Sequence, residues 1–151
     1  MVAYDSLSTF PDVDPALKKL AENQNIECVV FSNGTKSMVS NSVNKSKDLS
    51  PHGSLFKNIV TVDLVRKFKP APEVYEHLAQ TMNKTGQENT MWLVSGNPFD
   101  IVGARAMGMQ AVWVDRAGSG WQDKLGGEPT AVVHSLEDVA AVVAEQAKKS
   151  T

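Results

Sequence analysis

Several features that would narrow a function at once are scarce in this sequence. There is a single cysteine, Cys28, so no internal disulfide can form. The run around it, Ile26-Glu27-Cys28-Val29-Val30-Phe31, gives it the setting of a small buried hydrophobe in a reducing compartment. Strong charge of one sign is absent as well. The net charge of -2 offers no basic field for nucleic acid or an anionic membrane. No apolar stretch approaches the roughly 20 residues that span a bilayer. The opening Met1-Val2-Ala3-Tyr4-Asp5 lacks the basic-then-apolar pattern of a secretory leader. The three histidines, His52, His77 and His134, show no ligand spacing and read as surface or packing residues. These absences point to a cytoplasmic protein that works on a small molecule or a protein partner, with no nucleic acid and no membrane among its partners.

What is present is ordinary for a globular chain: 42% hydrophobic and 21% charged residues over 151 positions, enough for one domain covering 1–151. Asp14-Pro15 predicts a helix start, with Leu17, Leu20 and Ala21 at helical spacing. Cys28 to Phe31 reads as a strand ended by Ser32-Asn33-Gly34. A helix-compatible stretch from Lys36, a loop around Ser50-Pro51-His52-Gly53 and a short apolar piece at Ile59-Val60 follow. Pro72 opens a helix with Val74, Leu78 and Ala79 on one side, and Met91 to Val94 makes a strand. Pro98 starts a helix through Ile101, Ala104 and Met107 that stops at Gly108 before the strand Ala111 to Val114. After a long loop from about Arg116 to Thr130, Ala131-Val132-Val133 and a helix from Leu136 to about Lys148 close the pattern. Trp92 and Trp113 read as core, while Trp121 could edge a pocket or a partner surface. Helices alternating with short, continuously apolar strands predict an α/β fold with a parallel sheet covered on both faces.

Ligands of such sheets bind beyond the carboxyl ends of the strands. The polar clusters fall there: Ser32-Asn33-Gly34-Thr35 after one strand, Ser95-Gly96-Asn97-Pro98-Phe99-Asp100 after another, and Arg66-Lys67-Phe68-Lys69-Pro70 before the Pro72 helix.

Three of these segments carry a resemblance. Val29 to Thr35, Phe68-Lys69-Pro70-Ala71-Pro72-Glu73-Val74-Tyr75 and Val94 to Asp100 resemble the second, third and fourth motifs of the haloacid dehalogenase superfamily, in order and sensibly spaced. From about Tyr4 to the final helix, the chain is similar to the core domain of type II L-2-haloacid dehalogenases. The resemblance implies a Rossmann-like core of parallel strands flanked by helices. Phosphatases of the superfamily place an acidic pair in the fourth motif to hold Mg2+. Asn97 stands at the first of those positions, which matches the dehalogenase pattern and implies neither metal nor cofactor.

The activity so implied is hydrolysis of the carbon–halogen bond of short 2-haloacids. An Asp carboxylate attacks C2, halide leaves with inversion, and water hydrolyses the ester. On matched positions, Lys69 would keep the nucleophile ionised, Asp100 would position or activate the water, and Ser95 and Asn97 would orient these carboxylates. Ser32 would contact the substrate carboxylate, Asn33 and the ring of Phe99 would line the halide site, and Tyr75 would close the pocket. Phe99 departs from the family's usual Trp.

Family members begin with a strand ending in a DxxGT-like motif whose first Asp is the nucleophile, followed by a helical cap with a halide-binding arginine. No DxxGT occurs in these residues, and Asp12-Val13-Asp14 follows no apolar strand. The resemblance therefore implies a chain lacking the nucleophile and the middle strand of the sheet, its open edges covered by a second copy or by a missing N-terminal fragment. The rival expectation is a non-catalytic truncated product, and a phosphatase is the weaker enzymatic alternative.

Overall fold

The computed structural model describes residues 11–23, 25–45, 54–62, 65–122 and 127–149. The loop expected around Ser50 to Gly53, and the segments Tyr4 to Leu7 and Phe10, lie outside them. The chain divides into two compact units, Met1–Arg66 and Lys67–Thr151.

In the first unit, α1 (Val13–Ala21) leads to β1 (Cys28–Ser32), α2 (Lys36–Lys45) and β2 (Phe56–Thr61). Helix α1 begins one residue before the expected cap at Asp14. Asp12 holds the N-cap position, and Asp14 instead sits in the first turn, paired with Lys18 at 2.9 Å. An acid there complements the helix dipole, so the same residue type serves inside the helix as well as at its cap. Strands β1 and β2 pair in parallel, with Val30 opposite Ile59 and Ser32 opposite Thr61. The strand expected at Ile59-Val60 is six residues long, because pairing with β1 extends it through Phe56 and Asn58 on one side and Thr61 on the other. Val39 and Val43 of α2 and Val60 of β2 are buried.

The second unit contains α3 (Pro72–Thr81), β3 (Trp92–Ser95), α4 (Pro98–Ala106), β4 (Gln110–Val114), β5 (Ala131–Val133) and α5 (Val139–Lys149). Its three strands are parallel in the order β3-β4-β5. Val112, Val114 and Val133 point to one face by the period-two alternation of strands and pack with Val139, Val142 and Val143 of α5 and with Leu136 and Trp92. Leu93, Ala111 and Trp113, which alternate to the other face, are buried too. Strands covered in this way need not alternate polar with apolar residues, which is why they read as continuous apolar runs. The last helix was expected from Leu136; a 3-10 turn over Leu136–Asp138, capped by the Ser135 hydroxyl accepting from Glu137 N–H, precedes α5. Pro72 and Pro98 occupy the first turns of α3 and α4, where a missing N–H costs nothing. Helix α4 ends where Gly108 takes φ 86°, a left-handed position that glycine adopts without strain. The architecture is α/β, with parallel strands flanked by helices. No helix among the described residues is long and apolar enough to cross a membrane.

Candidate functional site

The second unit gathers Lys69, Tyr75 and Asp100 around one carboxylate. Asp100 lies in the first turn of α4, just beyond the carboxyl end of β3, and is 2% exposed. A buried charge of this kind is stable only when paired and hydrogen-bonded. Both oxygens are provided for. The Lys69 ammonium donates to Oδ2 at 3.0 Å, and the Tyr75 hydroxyl donates to Oδ1 at 2.6 Å. The Lys69 side chain is mostly buried, which strengthens the pair relative to one on the surface. Lys69 reaches the site from the loop before α3, where Ala71 N–H bonds Phe68 O and Val74 N–H bonds Ala71 O. The neighbouring Lys67 pairs instead with the exposed Glu73 at 3.3 Å.

Tyr75, on α3, is fully buried. Burial, and then the hydrogen bond and charge of Asp100, push its phenol well above the ordinary tyrosine range. It therefore stays a neutral donor at any working pH and holds the Asp100 carboxylate. The structure puts the Tyr75 hydroxyl on Asp100 and the ring inside the unit.

Two serines share a device at strand ends. Ser95 Oγ, after β3, accepts Asn97 N–H at 3.1 Å, and Ser32 Oγ, at the end of β1, accepts Gly34 N–H at 3.0 Å. Each hydroxyl holds the turn that follows its strand, a recognised habit of Ser beside free N–H groups. Asn97 takes the N-cap position of α4 in extended conformation, and its carbonyl accepts from Asp100 and Ile101 N–H. Its side chain makes no cap hydrogen bond and is exposed, as is Phe99 at 46%. Ser95, Asn97 and Phe99 thus lie on the same β3–α4 turn as Asp100. Ser32 and Asn33 belong to the first unit, where Asn33 is exposed.

Three contributors were not singled out from sequence. Gly103, one turn beyond Asp100 on α4, lies so close to Tyr75 that a Cβ would meet the ring within 2.6 to 2.7 Å. A glycine inside a helix costs about 1 kcal/mol relative to alanine and was the available signal. Asp115 follows β4 and, though buried, is held below the usual carboxylate range, chiefly by Gly120 N–H and further by Ser119. It anchors the turn that carries Trp121, whose ring meets Trp113 edge-on at 5.2 Å; the Trp113 indole in turn donates to Gly96 O. Arg105 donates to Glu128 O, Met109 O and Gln110 Oε1 and ties the end of the long loop to α4.

Residues 2–114 match the haloacid dehalogenase-like hydrolase family. The chain is 31% identical over 141 residues to haloacetate dehalogenase H-2 of Moraxella sp. (strain B), covering 93% of this chain and 59% of that protein. It is 33% identical over 138 residues to (S)-2-haloacid dehalogenase H-109 of Pseudomonas putida, covering 91% and 58%. Among solved structures, L-2-haloacid dehalogenase from Xanthobacter autotrophicus with chloropropionic acid covalently bound superposes with a TM-score of 0.78 at 25% identity, covering 94% of this chain and 63% of that one. The chain spans about three-fifths of the length of the curated relatives it matches.

Proposed function

Starting from a chain that belongs to the haloacid dehalogenase-like hydrolase family, we propose that it supplies the Lys69 and Asp100 half of an (S)-2-haloacid dehalogenase centre. The observation that carries this reading is the buried Asp100 carboxylate, with Lys69 on one oxygen and Tyr75 on the other, at the carboxyl end of a parallel sheet.

The chemistry proceeds in two displacements. A carboxylate oxygen attacks C2 of the 2-haloacid, the carbon–halogen bond breaks, and the halide leaves with the bonding pair. Water then adds to the ester carbonyl, giving up a proton, and the hydroxy acid leaves as the carboxylate is regenerated. Asp100 serves the second step as the group that directs the water and takes its proton. Lys69, the positive charge beside it, serves to keep the attacking nucleophile ionised. Ser95 and Asn97 shape the turn that presents Asp100. The family resemblance would give Ser32 the substrate carboxylate, and Asn33 and the ring of Phe99 the halide. Tyr75 supports Asp100. The neutral Asn97 removes one of the carboxylates a Mg2+ phosphatase needs, and this favours displacement at carbon without metal. The nucleophile is not among these residues by this reading. A strand bearing DxxGT, with a halide-binding cap, is supplied by another segment, and the 151-residue chain alone releases no halide above background.

The experiment is chloride release from L-2-chloropropionate by the chain alone and by the chain joined to a segment bearing a DxxGT strand and helical cap, with and without a metal chelator. Release only by the joined protein, unaffected by chelator, supports the reading. Mg2+-dependent release of phosphate from a generic ester would replace it with a phosphatase. No activity in either form would leave a non-catalytic family member.

A further inference from the structure

We infer that Gly103 is a positioning residue for Asp100, acting through Tyr75: the bare backbone of α4 at this position is what lets the Tyr75 hydroxyl reach the carboxylate. The importance of that carboxylate rests on the function proposed above; the geometric claim does not.

Asp100 and Gly103 are three residues apart on α4 and so share a face of the helix. Tyr75 from α3 lies across that face. Its hydroxyl stands 2.6 Å from Asp100 Oδ1, and a Cβ on Gly103 would stand 2.6 Å from the hydroxyl oxygen and 2.7 Å from both Cζ and Cε2. Ordinary contact between such atoms is about 3.5 to 4.0 Å. A methyl group would therefore push the end of the ring away by most of an ångström. The ring cannot yield cheaply, because Tyr75 is fully buried, as are Val74 on α3 and Ile101 and Ala104 on α4. Displacement on this scale takes an O–H···O bond out of its range of about 2.5 to 3.0 Å. All three nearest atoms belong to Tyr75. Gly103 is also a poor choice for helix stability, since alanine in mid-helix is better by about 1 kcal/mol. The sequence accepts that cost where the phenol needs the space.

The consequence is readable without any turnover. The chain has only two tyrosines, so Tyr4→Phe leaves Tyr75 as the sole phenol. In that background its phenolate absorbance should appear only as the chain unfolds in alkali, followed in parallel by circular dichroism. In Gly103→Ala the phenol loses Asp100 and should titrate at lower pH, before unfolding. Thermal midpoints give a second readout: Gly103→Ala should lower the midpoint in the parent and raise it in Tyr75→Leu, where the ring is gone and helix propensity alone remains. Should Gly103→Ala fail to fold, Gly103→Ala/Tyr75→Leu should still fold. In the joined protein, Gly103→Ala should lower kcat for chloride release with little change in KM.

A Tyr75 titration in Gly103→Ala that superimposes on the parent would overturn the inference. So would a Gly103→Ala/Tyr75→Leu protein that does not fold. If instead Asp100→Asn leaves chloride release intact while the titration shifts as described, Gly103 still positions Asp100, and it is the dehalogenase reading that fails.

Discussion

Asp100 holds its charge inside the second unit because each carboxylate oxygen has a donor. Removing one donor leaves a buried charge short of a partner, which is costlier than the pair is stabilising. Lys69→Met should therefore destabilise folding by about 3 kcal/mol, seen as a lower urea midpoint, because the lysine side chain is itself mostly buried. An unchanged midpoint would mean that water replaces the ammonium. Tyr75 adds a pH dependence of definite sign. Its phenol is raised in the folded chain, so the stability it brings is whole below its unfolded value of about 10 and is lost as pH rises beyond it, where the unfolded chain releases the proton more readily. Tyr75→Phe should be weaker by about 1 to 3 kcal/mol at neutral pH, with a flatter alkaline limb in urea unfolding. At this scale Lys69, Tyr75 and Asp100 were legible in the sequence because their neighbours, Pro70-Ala71-Pro72 and Ser95-Gly96-Asn97, form recognisable motifs. That Tyr75 turns inward onto Asp100 was not, because the choice depends on how α3 packs against α4. The reason for Gly103 is the same packing and was equally hidden.

Among the elements, strand ends were the most readable parts, since a continuous apolar run followed by Ser-Asn-Gly or Ser-Gly-Asn marks a buried strand and its turn. The helix starts at Pro72 and Pro98 stand where the sequence marks them, whereas those at Asp14-Pro15 and Leu136 are displaced by two to three residues. Asp14 is as acceptable in a first turn as at a cap, and the Leu136 stretch fits a 3-10 turn as well as an α-helix. The sequence pattern does not single out Asp115, although it directly follows an apolar strand. Its role needs Ser119 and Gly120 to fold back on it, a turn geometry that spacing alone does not display. The depressed carboxyl of Asp115 contributes order above the ordinary Asp range, and that order is lost as pH falls through its folded-state value. Asp115→Ala should therefore weaken, at neutral pH, the near-ultraviolet circular dichroism of the Trp113–Trp121 pair, and the parent should lose the same signal in acid. A full signal in the variant would show the turn to be held by other groups. Arg105 makes three hydrogen bonds to loop and strand from the last turn of α4. Arg105→Ala should cost about 1 to 2 kcal/mol by chemical denaturation, and an undisturbed midpoint would assign those bonds no net value.

For the molecule as a whole, the α/β class and parallel pairing followed from the alternation of helices with short apolar strands, which leaves few other ways to cover both faces. The placing of the strand ending at Phe31 and the strand at Val94 in different sheets, β1-β2 and β3-β4-β5, is what the absent middle strand of the resemblance implies, while the pairings within each sheet did not follow. Periodicity gives elements and order but carries no information on which strands bond. The family sequences that match extend well beyond this chain's span, and the proposed centre gives Asp100 and Lys69 only part of the chemistry. The most direct measurement is the intact mass of both components after the chain, carrying Asp100→Asn, is combined with a segment bearing a DxxGT strand and cap and exposed to L-2-chloropropionate. If Asp100 directs the hydrolytic water, the ester forms but is not cleared, and one propionate adduct accumulates on the added segment, with none on this chain. An adduct on the 151-residue chain itself, or undiminished turnover with no adduct on either component, would contradict the account.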